Sequence, residues 1–260
     1  MNKTTLCFLM LAGLFFTSCV PTKDLIYLQD KDNGAGNTPM SQVMSKPYRI
    51  QSNDILTIAI KAIDEKLVTM FNIGGSAQTE EGAYFQGYGV DDHGNIRVPV
   101  LGELNVLGYT TEEIRIKIET LLLAEYFNKE ANIFVTVKLA GFRYTTMGEI
   151  GSSGSKVLYR DKVSIMEAIA NSGDINITGN RKEVVVMRQF PHGTEMHAID
   201  LTDINVMQSP YYYLQPNDFI YIKPLKQKSW GTGTTGIQSF TTIISVLTLL
   251  ISTYLVFKSL

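Results

Sequence analysis

The residues that could carry catalysis are few and lie far apart in this sequence. The histidines are His93, His192 and His197, and none has a Cys, Asp or Glu at the spacing of metal ligands. No serine lies in a nucleophile-elbow pattern, and no cysteine has the setting of a nucleophile. His93 lies in a predicted turn, where a structural or solvent-facing role is expected. We therefore predict neither a catalytic residue nor a metal site.

Adjacent carboxylates are the other pattern that could support acid–base chemistry. The pairs that could act in this way are Asp64–Glu65, Glu80–Glu81 and Glu112–Glu113. The last pair follows Thr110 and is explained by helix capping, and the other two lie in predicted loops or on a solvated face. The sequence therefore predicts a protein that is not an enzyme.

A glycine-rich string at residues 231–236 matches the pattern of a dinucleotide-binding loop. Its context does not match, because the next predicted helix is the apolar C-terminal one and no acidic residue follows at the distance that a ribose contact needs. We interpret the string as a flexible joint within a linker over residues 226–239. No bound cofactor is predicted.

Cys19 is the one residue whose surroundings predict covalent chemistry. Lys3 and the short apolar run after it are typical of a secretory signal peptide, here residues 1–18. Residues 14–19, Leu-Phe-Phe-Thr-Ser-Cys, resemble a bacterial lipobox, in which the cysteine is lipidated and becomes the first residue. Signal-peptide cleavage with an incidental Cys19 is the alternative. Because Cys7 would leave with the signal peptide, the mature chain would hold no disulfide.

The C-terminal residues 240–257 contain no charged residue, no Pro and no Gly. As a helix this stretch would be roughly 27 Å long, close to the thickness of a bilayer's hydrocarbon core. Trp230 precedes it and Lys258 follows it, which is the usual placing of interfacial anchors. The sequence therefore predicts a C-terminal transmembrane helix over residues 240–258.

One face of that predicted helix carries hydroxyl side chains. At 100° per residue, Thr241, Ser245, Thr248 and Ser252 lie on the same side, and we name them the hydroxyl stripe. Small hydroxyl residues favour close helix packing or the lining of a wet pore shared by several copies. In the alternative, a single anchor helix, these side chains donate back to carbonyls of their own helix.

The part between the two ends begins with residues 19–47, which are polar and rich in Gly and Asn and predict a linker. Residues 48–60 predict a strand, a turn and a second strand. A hairpin turn is predicted at residues 92–95, and the strand that follows it is predicted to continue through residues 101–106.

Helix signals complete this first domain. Thr110 and Glu113 form a capping box, apolar residues follow at helical spacing, and a strand is predicted over residues 131–139. We therefore predict an α+β domain over residues 48–140.

Residues 141–225 predict a second domain. Ser164 and Glu167 form another capping box, and Gly173 stands where a left-handed helix cap belongs. Alternating strands flank this helix, so we predict a small sheet with one helix across it.

A run of aromatic residues, Tyr211, Tyr212 and Tyr213, is the most suggestive candidate for ligand contact. Tyrosine rings can stack on sugar rings. They can equally pack into a core, because alternate residues of such a run must face inward. Both interpretations stay open on the sequence.

The order of several motifs resembles the outer-membrane polysaccharide export family of Gram-negative bacteria. The first half carries it in residues 48–56, 92–102 and 108–113, although Asn53 stands where the family usually has Gly. The second half, including residues 163–170 and 213–222, resembles the family's ligand-binding β-grasp repeat. The resemblance covers about residues 48–224, and it depends on the order of the motifs more than on any one of them.

The resemblance implies a channel subunit that exports capsular or extracellular polysaccharide. It implies a ring, typically of eight copies, with lipid-anchored soluble domains in the periplasm and C-terminal helices forming a barrel through the outer membrane. It also implies an inner-membrane partner, a polysaccharide copolymerase often fused to a tyrosine kinase. Nucleic acid is not an expected partner, because the net charge is −2 and no basic stripe exists.

Two alternatives to the channel remain. The chain could be a membrane-anchored lipoprotein that binds a soluble ligand or sugar through its β-grasp domain without forming a pore. It could also be an inner-membrane protein, since Lys226 and Lys228 before the span would favour a cytoplasmic side. That orientation conflicts with a secreted N-terminus.

Overall fold

A computed structural model of the chain describes residues 20–31, 47–72, 82, 86–128, 131–190, 193–229, 241 and 243–252. Its strands are β1 (Ile55–Lys61), β2 (Tyr88–Gly89), β3 (Asn95–Val98), β4 (Gly102–Asn105), β5 (Phe134–Leu139), β6 (Phe142–Gly148), β7 (Gly154–Leu158), β8 (Gly179–Phe190), β9 (Gly193–Ile199) and β10 (Phe219–Pro224). Its α-helices are α1 (Glu65–Val68), α2 (Thr111–Glu125), α3 (Ile165–Asn171) and α4 (Lys226–Ser229). Helices and separate sheets in one chain agree with the predicted α+β class.

The first hydrophobic core lies within residues 48–139. Strand β1 is central to a three-stranded antiparallel sheet in the order β2-β1-β5, and helix α2 buries Ile114, Ile118 and Leu122 in this core. The predicted capping box is present, because the Thr110 hydroxyl accepts from the Glu113 amide and the Glu113 carboxylate accepts from the Thr110 amide. The local sequence pattern therefore fixes where this helix begins.

Two sequence predictions in the first core are wrong. The strand after the turn at 92–95 does not continue through 101–106, because the chain reverses after Pro99 and β4 returns antiparallel to β3. Val100 and Gly102 both have positive φ, which makes the tight reversal. Residues 48–50 are not a strand, although Ile50 exchanges backbone hydrogen bonds with Gly108 and Tyr109.

The second hydrophobic core lies mainly within residues 142–222. Its five-stranded sheet has the order β7-β6-β10-β8-β9, with β6 and β10 parallel and the other pairs antiparallel. Helix α3 buries Ile165, Ala168 and Ile169 in this core. The predicted capping box of Ser164 and Glu167 is confirmed, and Gly173 has a φ of +82° just after the helix.

The first part of the predicted 19–47 linker is not a free linker. Residues 20–31 lie along the second core, where Leu28 and Gln29 donate backbone hydrogen bonds to Leu201 (3.0 Å) and Thr202 (2.8 Å). Lys31 forms an ion pair of 2.7 Å with Asp200. The linker prediction rested on the polar composition of 19–47 and overlooked Tyr27 and Leu28, which pack against this core. Residues 32–46 lie outside the described part of the chain.

The predicted transmembrane helix is described only in part. Residues 241 and 243–252 are helical, and no helix among the described residues is long and apolar enough to cross a membrane. The remaining residues of the 240–258 prediction lie outside the described part, as do the signal peptide 1–18, Cys19 and the glycine-rich string 231–236. Membrane spanning and lipidation therefore stay predictions.

Candidate functional site

Two turns of the same design meet where the two cores adjoin. The first turn (residues 51–54, Gln-Ser-Asn-Asp) precedes β1, and the second turn (residues 215–218, Gln-Pro-Asn-Asp) precedes β10. In each turn the asparagine has a positive φ, 70° at Asn53 and 67° at Asn217. Asn tolerates this backbone region better than most residues, which explains its use at both positions.

Each turn ends in a buried aspartate that accepts from the glutamine amide at its start. The distance is 2.8 Å from Gln51 N to Asp54 Oδ2 and 2.7 Å from Gln215 N to Asp218 Oδ2. Asp54 is only 4% exposed and Asp218 only 1% exposed. Burial raises the pKa of both carboxyl groups above their usual range.

The second turn has a cationic partner for its carboxylate. The Arg188 guanidinium donates to both oxygens of Asp218, with Nε at 2.9 Å and one Nη at 2.8 Å. Both side chains are buried, and the same guanidinium also donates to the Tyr213 carbonyl. Arg188 and Asp218 therefore form a bidentate, charge-assisted ion pair inside the second core.

The first turn has only neutral partners. The Tyr48 hydroxyl donates to Asp54 Oδ2 at 2.8 Å, and the Asn217 amide donates to Asp54 Oδ1 at 3.1 Å. The second contact joins residues 163 positions apart and links the two turns directly. Burial and the nearby Asp54 carboxylate raise the pKa of the Tyr48 hydroxyl, so it stays protonated and remains a donor.

An open cleft lies beside the contact between the two turns. Its cavity volume is about 70 Å³. Both turns line it, together with the connection from β5 to β6 and the end of β7; the lining includes Asn53, Asp54, Gly141, Arg143, Val157, Tyr159 and Asn217. Tyr159 is 64% exposed, and Arg143 is exposed as well. Polar, cationic and aromatic groups therefore converge on one surface recess.

The aromatic run proposed for sugar contact lies mostly inside the second core. Tyr211 and Tyr212 are buried, and Tyr213 is half-buried. Tyr211 packs between the Arg188 guanidinium, at 4.9 Å from the ring centre, and the His197 ring, at 4.3 Å. These contacts favour the packing interpretation that the sequence left open, and sugar contact at these residues stays an untested prediction.

The hydroxyl stripe donates to its own helix where the structure describes it. Ser245 Oγ donates to the Thr241 carbonyl at 2.8 Å, and Ser252 Oγ donates to the Leu249 carbonyl at 3.0 Å. Thr248 donates to the Ile244 carbonyl. A hydroxyl that donates in this way still keeps lone pairs that can accept from water or another molecule.

Two of the other residues considered for chemistry, Asp64 and Glu112, have structural partners. Glu112 pairs with Arg115, and Asp64 accepts from the Lys66 amide at the start of α1. His93 lies in an exposed turn, whereas His192 and Glu80–Glu81 lie outside the described residues. Within the part of the chain that the structure describes, no group of three or more His, Cys, Asp or Glu side chains could hold a metal ion.

The sequence did not predict the contact between the two turns. The repeated Gln-X-Asn-Asp pattern at 51–54 and 215–218 was available as a signal, because it places the same turn chemistry before two strands. Nothing local indicates that Asn217 reaches Asp54, since the contact depends on how the two cores pack. Arg143 and Tyr159 carried no pattern of their own.

The first core is the part of the chain that matches a known protein family. Residues 42–138 match the family described as polysaccharide biosynthesis/export protein. The chain is also 27% identical over 163 residues to the EPS I polysaccharide export outer membrane protein EpsA of Ralstonia solanacearum. That alignment covers 58% of this chain, and the chain spans only 42% of the relative's length. The match over 42–138 contains the first turn, β1 and helix α2.

Proposed function

We propose that this protein takes part in exporting polysaccharide across the cell envelope, because residues 42–138 match the polysaccharide export family that the order of the motifs predicted. In this proposal the protein is a transport component and not an enzyme, as the family match and the similar export protein support. The family match is the observation that carries the proposal, and the similarity to an outer-membrane export protein supports an envelope location. The exported polymer is expected to be capsular or extracellular polysaccharide.

The more specific proposal is a ring of copies that forms a passage through the outer membrane. Each copy would be held by lipid on Cys19 and by its C-terminal helix, with the two cores in the periplasm. The hydroxyl stripe supports a water-facing surface, because its oxygens can still accept hydrogen bonds after donating to their own helix. A hydrated polymer could then pass without being held tightly.

An inner-membrane polysaccharide copolymerase, often fused to a tyrosine kinase, is the partner that we propose for the periplasmic end of the ring. The proposal follows from the family resemblance. Polymer synthesis and chain-length control would then be the work of the partner.

Deletion of the gene and complementation with the full chain test the proposed function. We expect the deletion strain to lose surface polysaccharide and to retain polymer inside the cell envelope, and we expect the full chain to restore surface polymer. A Cys19→Ser variant should restore less, because it cannot be lipidated. Normal surface polysaccharide in the deletion strain would contradict a role in export.

A second candidate is a membrane-anchored binding protein that forms no pore. The observation that favours it is the stripe itself, since Ser245, Thr248 and Ser252 donate within their own helix and need no neighbouring copy. An isolated anchor helix would tolerate such residues.

Substitutions in the stripe separate the two candidates. Thr248→Leu with Ser252→Leu should leave folding intact but impair export if the stripe lines a passage. Val246→Leu with Leu250→Met is a matched control, because these residues lie on the opposite face and keep it apolar. Equal export by both double variants would remove the pore-lining proposal and favour the anchor.

A further inference from the structure

We propose that the outward side of the sheet β2-β1-β5 binds acidic sugar units of the exported polymer, an inference that rests on the proposed function. The surface consists of the residues of β1 and β5 that alternate with the buried ones, and we name it the outer sheet face. Its members are Thr57, Ala59, Lys61, Phe134, Thr136 and Lys138. It offers one aromatic ring, two cations and two hydroxyl groups on a single surface.

Strand alternation produces the outer sheet face. Leu56, Ile58 and Ile60 of β1 are buried in the first core, as are Val135 and Val137 of β5. The residues between them therefore point to the other side of the sheet. Helix α2 buries its apolar residues in the same core, and an antiparallel sheet commonly keeps its second face in solvent.

The strand register groups the six residues into three opposed pairs. These pairs are Thr57–Lys138, Ala59–Thr136 and Lys61–Phe134. Opposed residues lie on strands about 4.8 Å apart, and the two end pairs are about 14 Å apart along the strands. Because the middle pair is small, a sugar ring has room close to the sheet. Ile55, which precedes these residues on β1, lines the cleft between the two turns, so the face leads away from that cleft.

Both lysines of the face are exposed, and neither has an ion-pair or hydrogen-bond partner for its side chain within the described residues. Other exposed cations of the first core are paired, as Arg49 is with Glu113 and Arg97 with Glu103. The six residues of the face include no acidic one, although the chain as a whole has a net charge of −2. This local positive charge is complementary to an acidic ligand.

Phe134 supplies an apolar ring at one end of the face. It is 64% exposed, and it makes no aromatic or cation contact with any residue in the described part of the chain. Phe71, in contrast, is buried and packs against Tyr126 and Phe127 at ring-centre distances of 5.4 and 5.5 Å. The Phe134 ring is therefore available to stack on the apolar side of a pyranose ring.

The charge of the face favours an acidic polymer over a neutral one. A neutral sugar chain would contact the ring and the threonine hydroxyls but would gain nothing from the two lysines. Carboxylates on successive sugar units would pair with both. Exposed ion pairs contribute about 1 kcal/mol or less each, so the expected binding is weak. Weak contacts at several points suit a polymer that must move on.

The test is saturation-transfer NMR of tetragalacturonate and of maltotetraose with the full chain in detergent at low ionic strength. We expect tetragalacturonate to bind more tightly. Lys61→Gln with Lys138→Gln should weaken tetragalacturonate binding by about tenfold and leave maltotetraose unchanged. Phe134→Ala should weaken binding of both sugars by about fivefold, and Phe134→Trp should restore it because stacking is retained.

Lys23→Gln with Lys162→Gln is the matched control, because it removes the same charge from exposed lysines that lie outside the first core. A loss of tetragalacturonate binding with this control equal to that with the Lys61 and Lys138 variant would overturn the inference. Equal binding of the two sugars by the wild-type chain, or binding of neither, would also overturn it.

Two further measurements separate this inference from its alternatives. If the Lys61 and Lys138 variant lowered the particle mass and left sugar binding unchanged, the face would be a contact between copies and the inference would be wrong. Absent sugar binding together with restored export in the complementation assay would remove this binding site alone. Normal surface polysaccharide in the deletion strain would instead remove the proposed function.

Discussion

The two turns have a similar backbone, with an asparagine at positive φ in each, but they differ in the groups that offset the cost of burying a carboxylate. Asp218 has the Arg188 cation within its own core, whereas Asp54 has only the neutral donors of Tyr48, Gln51 and Asn217. One of those donors comes from the other turn. The second turn is therefore stabilised within one core, and the first depends on the packing of the two cores.

This difference shows that a short turn motif fixes local geometry but not its energetics. Both aspartates accept from the glutamine amide three residues earlier, which closes the turn in the same way. The free energy of burying each carboxylate depends on the surrounding fold. Substitutions in the two turns should therefore have very different effects.

The largest effect is expected when Asp218 loses its cation. Arg188→Met leaves a buried carboxylate without compensation and should lower the free energy of unfolding by about 3–5 kcal/mol. The measurement is urea denaturation of the detergent-solubilised chain followed by circular dichroism. Arg97→Met is the control, because its ion pair with Glu103 spans 3.8 Å at a side chain that is 85% exposed. That control should change stability by about 1 kcal/mol or less.

The double variant Arg188→Met with Asp218→Leu should recover much of the lost stability, because no buried charge remains. If Arg188→Met lowered the free energy of unfolding no more than Arg97→Met does, Arg188 would not be the group that offsets the burial of the Asp218 carboxylate.

A smaller and pH-dependent effect is expected for the first turn. Asp54→Asn replaces a carboxylate that has only neutral partners, and it should lower stability by about 1 kcal/mol at neutral pH because one hydrogen bond must rearrange. Burial raises the folded-state pKa of Asp54 above its ordinary value of 3.8. Folded wild type therefore takes up a proton more readily than the unfolded chain as the pH falls through this window.

The wild type thus gains stability from Asp54 on acidification, and Asp54→Asn cannot. We expect the stability difference between them to increase from neutral pH down to about 4. Urea denaturation of both proteins across this range measures it. A difference that shrinks with acidification would mean that the folded-state pKa of Asp54 is lowered and that its neutral partners favour the charged form.

The smallest effect isolates the hydrogen bond between the turns. Asn53→Gly and Asn217→Gly both suit a positive φ, so backbone strain should not distinguish them. Only Asn217→Gly removes the donor to Asp54 and should lower stability by about 1 kcal/mol relative to Asn53→Gly. Thermal unfolding of the two variants under one condition provides the comparison. Equal stabilities would show that the Asn217–Asp54 contact contributes little.

Local signals predicted helices α2 and α3 but not the short helices α1 and α4. The capping boxes at Thr110–Glu113 and Ser164–Glu167 formed as expected, because their hydrogen bonds connect residues only three positions apart. The β3–β4 hairpin was missed, because one continuous strand was predicted there and the reversal at Val100 uses a positive φ that a valine does not signal.

Contacts between distant segments could not be predicted from the sequence. The docking of residues 20–31 depends on backbone hydrogen bonds to Leu201 and Thr202, which any residue type can form. The Asn217–Asp54 contact likewise depends on how the cores meet. The match of residues 42–138 to the export family was predicted, because it depends on the order of short motifs.

The most direct test of the account is the particle mass of the full chain extracted in mild detergent, measured by light scattering and imaged by electron microscopy. A channel subunit should give a discrete ring of several copies, with eight as the expected number. A stable single copy at all protein concentrations would contradict the channel and leave a membrane-anchored binding protein.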